Sequence, residues 1–489
     1  MKALARSTLP LLNVLGAIVA LFAFSMLVPL AFAFFGGDKA LTAYDTAFLV
    51  TVGCGVVLFA ATYRFRRELM PRDSFLLVTL VWTVLPAFAT LPLLLHLPQM
   101  SFTDAYFETM SGLTTTGATV MSGLDDLPLS INVWRHLLVW MGGIGVVVFA
   151  VAILPMLGVG GSELYKAESA GPFKEAKLTP RIAQTAKGLY IVYFGVSAAC
   201  FFAYRIAGMT WADAFMHMCA TMGLGGFSSH DASFGYFNSP LIESVAVVFM
   251  LIAGFNFSMH FLAWRKRSLR GYLADIEGQG FLVVTLGGAL VVAVYLLLLD
   301  QYPDFLTSLR YALFNTVSIA TTTGFASTDY GLWPPFAPVL MLLLCCFATC
   351  AGSTGGGIKM IRAILLVKQA RREFTRILHP RVINPVTLNG AAVDNPIIFS
   401  VLAFMQLWGV AVVALTFALL WTGLDIVSSF TAVIACITNT GPGLNQVGPA
   451  ANYAGLSDGG TWVCTFAMLI GRLELMSVFV LFTAQFWRK

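Results

Sequence analysis

The chain has 489 residues, of which 58% are hydrophobic and only 11% charged, with a mean hydropathy of +0.82. Soluble domains carry about a quarter charged residues, so a water-soluble globule is excluded. The net charge of +5 is modest and its basic residues lie between apolar runs, which argues against a nucleic-acid partner and for the lipid bilayer as solvent.

In chain order, apolar runs predict ten spans of the roughly 20 residues that cross a bilayer. They lie near 12–35, 46–63, 74–96, 132–158, 188–207, 240–264, 279–299, 336–367, 396–421 and 461–486. The first run follows Lys2 and Arg6 but is longer than a secretory signal and lacks a clear cleavage site, so it reads as a retained helix. Cys345, Cys346 and Cys350 have no neighbouring His or carboxylate and read as small hydrophobes, not as a metal cluster.

The basic residues set the orientation. Of the 29 Lys and Arg, all but Lys39, Arg135, Arg205, Arg310 and Arg472 fall on one set of loops and ends. The positive-inside rule then predicts a multi-pass chain with both termini cytoplasmic and four long connections, 97–131, 208–239, 300–335 and 422–460, facing outward. The basic face is explained by topology alone, and would also suit a cytosolic partner or anionic lipid.

Each long connection repeats one order of parts: a short apolar stretch, a Gly-centred string, a polar loop, another span. The stretches 101–113, 210–222, 304–319 and 425–437 are too short to span and are predicted as re-entrant half-helices. Asp104, Asp213, Asp304 and Asp425 mark their N-termini. The strings are Thr114-Thr115-Thr116-Gly117, Gly223-Leu224-Gly225-Gly226, Thr321-Thr322-Thr323-Gly324 and Thr438-Asn439-Thr440-Gly441.

Irregular backbone at membrane depth persists only where it lines a cavity or is buried in protein. Four strings around one axis would offer neutral carbonyl and hydroxyl oxygens that replace the hydration shell of a monovalent cation. A divalent ion would call for carboxylates, and the strings hold none. The predicted fold is therefore all-α integral membrane, with four helix–pore-loop–helix repeats around a pseudo-fourfold pore after two extra transmembrane helices. The corresponding domains are 1–72 for the extra helices, then 73–165, 166–277, 278–394 and 395–489.

The segments TTTGAT at 114–119, GGFSSHD at 225–231, TTTGFAS at 321–327, TNTGPG at 438–443, AGSTGGGIK at 351–359 and GRLE at 471–474 resemble the Trk/Ktr/HKT superfamily of potassium transporters along essentially the whole chain. The resemblance implies potassium as permeant ion, no organic cofactor, a homodimer in the bacterial inner membrane, and gating by a cytosolic nucleotide-binding ring of the TrkA type. It further implies that Gly352, Ser353, Thr354, Gly355, Gly356 and Gly357 form a movable intramembrane loop under the filter; a buried kink is the plainer reading. The P-loop spacing of Gly352 and Gly357 is followed by Ile358-Lys359 rather than Lys-Ser/Thr, so phosphate binding is rejected.

Arg472 lies about 11 residues into the last run, near mid-membrane, where a charge is functional by default. By resemblance it stands on the pore axis as part of the gate; the alternative is an ion pair with Glu474 or another buried acid. Two departures bear on selectivity: Gly223 stands where the first and third strings have Thr, and Pro442 follows Gly441. Glu108 and Glu243 are candidates for drawing cations to the outer mouth, Glu108 alternatively for bracing its half-helix. Arg310 reads as structural, and His217 and His260 as packed helix residues. Membrane enzymes are disfavoured because no His, Asp and Glu cluster at one depth. A proton- or sodium-coupled symporter stays as the competing transport reading.

Overall fold

A computed structural model describes residues 2–67, 69–148 and 182–488. The far end of the fourth run, the basic residues Lys166, Lys174, Lys177 and Arg181, and the 165/166 boundary lie outside the described residues.

Among the described residues six helices are long and apolar enough to cross a membrane: Thr8–Gly36, Leu41–Phe65, Arg72–His96, Lys187–Ile206, Ile276–Leu298 and Asn395–Trp421. The first two pack backbone to backbone. A Cβ on Gly16 would stand 2.6 Å from Phe59 N, and one on Gly55 2.5 Å from Ala20 N, the close approach that small residues allow between membrane helices.

Two runs expected as single straight spans are broken. Pro240–Gly254 and Phe257–Lys266 meet at 93°, and Asp458–Arg472 and Leu475–Phe482 at 109°. At the first break Asn256 caps the new helix; at the second Glu474 takes a positive φ of 56°. Arg472 is thus the last residue of its helix, at the bend, rather than part-way along a continuous one. The eighth run is interrupted as expected, with Phe336–Cys345 and Met360–Leu378 separated by an irregular segment. A small hairpin pairs Thr387–Leu388 with Ala391–Ala392.

The half-helices are Phe102–Leu113, Trp211–Gly223, Phe305–Ala320 and Ile426–Ile437. At 12 to 16 residues they reach about 18–24 Å, short of a roughly 30 Å hydrocarbon core. Their N-termini are capped in two ways. Asp304 and Asp425 are themselves the caps. In the other two, Ser101 and Thr210 cap, and Asp104 and Asp213 sit in the first turn, donating their N–H to the capping hydroxyl. Their inner turns and the strings that follow are buried almost throughout.

Candidate functional site

The four strings share one backbone. Gly117, Gly226, Gly324 and Gly441 all have positive φ, at 82°, 55°, 92° and 96°. Two residues earlier, Thr115, Leu224, Thr322 and Asn439 are also left-handed, at 54°, 53°, 59° and 55°. Non-glycine residues rarely adopt this region, so four at one register mark an imposed geometry.

The strings touch in cyclic order. A Cβ on Gly117 would lie 2.4 Å from Gly225 O, one on Gly226 2.2 Å from Thr323 O, and one on Gly324 2.1 Å from Thr440 O. One on Gly441 would lie 2.6 Å from Thr116 O, so the fourth string closes on the first. The four glycines therefore stand in a ring, each against the carbonyl of the residue that precedes the next glycine. Above the ring is a cavity of about 250 Å³ lined by all four glycines together with Ala118, Phe227 and Pro442.

The threonine hydroxyls brace one another. Thr114 donates to Met110 O at 2.7 Å and pairs with Thr116 at 2.8 Å. Thr321 with Thr323, and Thr438 with Thr440, repeat the arrangement at 2.7 and 2.8 Å. Gly223 and Gly225 remove this hydroxyl pair from the second string. A Cβ there would run into Val139, at 2.7 and 2.5 Å from its side chain. Thr115 Oγ1 and Asn439 Oδ1 are buried without a hydrogen-bond partner in the protein. Chemically the site offers a ring of carbonyl oxygens in cramped backbone, with no carboxylate among its strings.

Beneath the ring lies the Gly-rich segment. Gly356 N donates to Thr322 Oγ1 at 2.9 Å, and a Cβ on Gly356 would stand 2.0 Å from Thr438 O. Thr349 Oγ1 donates to Gly356 O, and Lys359 Nζ to Gly355 O. Gly352 O accepts from Phe257 N, and Ser353 bonds within the segment to Cys350 O. Gly357 takes φ 81° against the carbonyls of Cys345 and Cys346. Arg472, 4% exposed, donates to Thr354 O at 2.8 Å and to Gly142 O at 3.0 Å. Glu474 pairs with Arg362 instead, at 2.8 Å, so the ion-pair alternative for Arg472 with Glu474 is overturned.

Other candidates resolve into structural bonds. Arg310 forms a pair with Glu243, the closer contact 2.6 Å, and Glu108 with Arg135 at 2.8 Å. His217 and His260 are engaged with backbone and side-chain partners inside their packing. In the outer loops His230 joins Asp125 and stands 3.3 Å from Asp213. Burial pulls the His230 pKa down, but hydrogen bonds and charge from Asp213 and Asp125 outweigh it and hold the value above ordinary.

Sequence reasoning missed the residues that let the ring close up from behind. A Cβ on Gly142 would fall 1.9 Å from Leu113 O, and one on Gly471 2.2 Å from Ile437 O. Both sit where a helix meets a half-helix end, and glycine inside an apolar helix is the signal that marks such sites. Glu277, which accepts from Ala351 N at 2.7 Å, was also missed.

Comparison with known proteins adds three findings. The family model TrkH, described as a cation transport protein, matches residues 46–489. The Trk system potassium uptake protein TrkH of Halomonas elongata is 43% identical over 480 residues, covering 98% of this chain and 99% of the relative. The crystal structure of the potassium transporter TrkH from Vibrio parahaemolyticus superposes with a TM-score of 0.90 at 41% identity, covering 99% of each chain.

Proposed function

The chain belongs to the TrkH family of cation transport proteins, a family of multi-pass membrane transporters, and from that membership we propose that it takes up potassium as the membrane subunit of a Trk-type system. Potassium passes the glycine ring, where carbonyl oxygens of the four strings stand in for water. The observation that carries this reading is the cyclic contact of Gly117, Gly226, Gly324 and Gly441, which supports one axis shared by four strings.

The ring is the selective step. The segment 352–357 with Arg472 is the barrier beneath it, since its backbone hydrogen-bonds the inner ends of the strings and a buried cation repels cations. A cytosolic nucleotide-binding ring of the TrkA type moves that barrier, seated on the face where the basic residues concentrate. The working unit is a homodimer in the bacterial inner membrane with both termini cytoplasmic. Conduction is favoured over proton- or sodium-coupled symport because Glu108, the carboxylate next to the first string, is held by Arg135 and not free to carry a coupling ion.

The test is growth of a potassium-uptake-deficient bacterium at low potassium, with and without a co-expressed regulatory ring, paired with flux into vesicles of purified protein. Rescue that depends on the intact ring glycines supports the reading. Failure of rescue together with no potassium flux overturns it. A reversal potential that tracks a proton or sodium gradient replaces conduction with symport.

A further inference from the structure

Behind the ring, each half-helix sends one side chain to its own string beyond the glycine, and the four differ in chemistry. Glu108, His217 and Asn315 occupy one common offset before Gly117, Gly226 and Gly324. Glu108 accepts from Val120 N at 3.0 Å and from Thr119 Oγ1 at 2.9 Å. His217 Nε2 shares a 3.1 Å hydrogen bond with Ser228 Oγ. Asn315 bonds Ser327 through both its amide atoms, at 2.9 and 3.2 Å. In the fourth repeat Thr431 takes the role one position earlier, accepting from Leu444 N at 3.0 Å. Carboxylate, imidazole, amide and hydroxyl thus pin four otherwise like strings.

The first brace is the one that reaches two strings. Glu108 and Arg135 are each 1% exposed. Arg135 donates to Glu108 Oε1 at 2.8 Å, to Asn132 Oδ1 at 3.1 Å and to Thr119 Oγ1 at 3.3 Å. It then crosses to the second string, donating to Ser228 O at 3.3 Å, and its guanidinium lies 4.4 Å from the centre of the Phe227 ring. The second string is the one whose Gly223 and Gly225 deprive it of the hydroxyl pair that stiffens the other three. The pair therefore ties the least internally braced string to its neighbour. A buried ion pair is a poor source of net stability but a strong source of fixed geometry when all its lone pairs and N–H groups are engaged.

We infer that Glu108 and Arg135 are positioning residues that set ion specificity, by fixing the first string and its spacing from the second. This rests on the glycine ring being the conduction path. The test uses full-length protein in liposomes and reads the potassium-to-sodium permeability ratio from the reversal potential, alongside thermal stability. Wild-type flux tests the conduction path by itself: no potassium current removes that reading before the brace is reached.

Glu108→Gln leaves the Arg135 charge unpaired, so both the ratio and the melting temperature fall, the ratio several-fold. The double variant Glu108→Gln/Arg135→Gln removes both charges. Its melting temperature recovers toward wild type, but its ratio stays low because the tie between strings is gone. A ratio that returns together with stability means a merely structural pair and overturns the inference. Glu108→Asp keeps the charge pair but retracts the carboxylate from Val120 N, and it carries the test by itself should the other two variants fail to fold. It is expected to shift the ratio at near wild-type stability; a wild-type ratio in this variant also overturns the inference.

Discussion

The glycine ring and the segment beneath it are both irregular backbone deep in an apolar molecule, yet they are held in opposite ways. The ring is built four times over. Each string is anchored by its own half-helix through short-range bonds, such as Thr321 to Val317 O at 2.7 Å and Thr438 to Ile434 O at 2.7 Å. The lower segment exists once, in the third repeat. Several of its bonds come from distant chain: Arg472 from the last, Phe257 from the second, and Gly142 sharing the same guanidinium from the first. Local, repeated bonds resist change at any one point. A few single-copy, long-range bonds can be broken while each string keeps its own anchors, as the proposed filter above a barrier requires.

The largest expected effect strikes the ring. Gly324→Ala places a Cβ 2.1 Å from Thr440 O at a φ of 92°. Left-handed strain alone is about 1–3 kcal/mol, so potassium uptake should fall about tenfold or more. Retained uptake and selectivity would show that the ring tolerates displacement and is not the selective step. Next comes the proposed barrier: Arg472→Gln removes the buried charge and its ties to Thr354 O and Gly142 O. Potassium flux in vesicles should rise several-fold with the potassium-to-sodium ratio little changed; lowered flux would mean that Arg472 supports the ring instead.

A smaller effect is expected from Glu277→Gln, which weakens the acceptor for Ala351 N and Ile361 N at the ends of the lower segment. A charged hydrogen bond contributes about 1.5–3 kcal/mol, so basal flux should rise by less than in Arg472→Gln. Equal or greater flux would place the main restraint at Glu277.

The smallest effect lies in the outer loops. The protonated form of His230 is favoured in the fold, so this contribution is fully present below its ordinary pKa of about 6.5. It is lost as pH rises through the raised value. Thermal stability should therefore drop slightly as pH rises above about 6.5, and His230→Gln should flatten that slope. A slope unchanged in His230→Gln would assign the dependence elsewhere.

Much of this was legible in residues. The half-helix ends were placed within one residue because the caps are local: Ser101, Thr210, Asp304 and Asp425 sit where short polar oxygens can take the first free N–H groups. The two sharp bends were not legible. Only Asn256 interrupts the apolar run at the first and only Arg472 and Glu474 at the second, and hydropathy measures burial from water rather than direction. The pairing of Glu474 was half legible. Its two-residue spacing from Arg472 makes it a poor partner along one helix, but Arg362 as partner lies 112 residues away.

By itself, then, the sequence determined the membrane setting, the half-helices and the glycine-centred strings, because water exclusion and helix capping act over a few residues. Tertiary structure decided the cyclic order in which the strings meet and the partners of Arg472, 118 and 330 residues distant. Those depend on how separate helices pack, and close packing is settled by the shapes that meet rather than by the composition of either element.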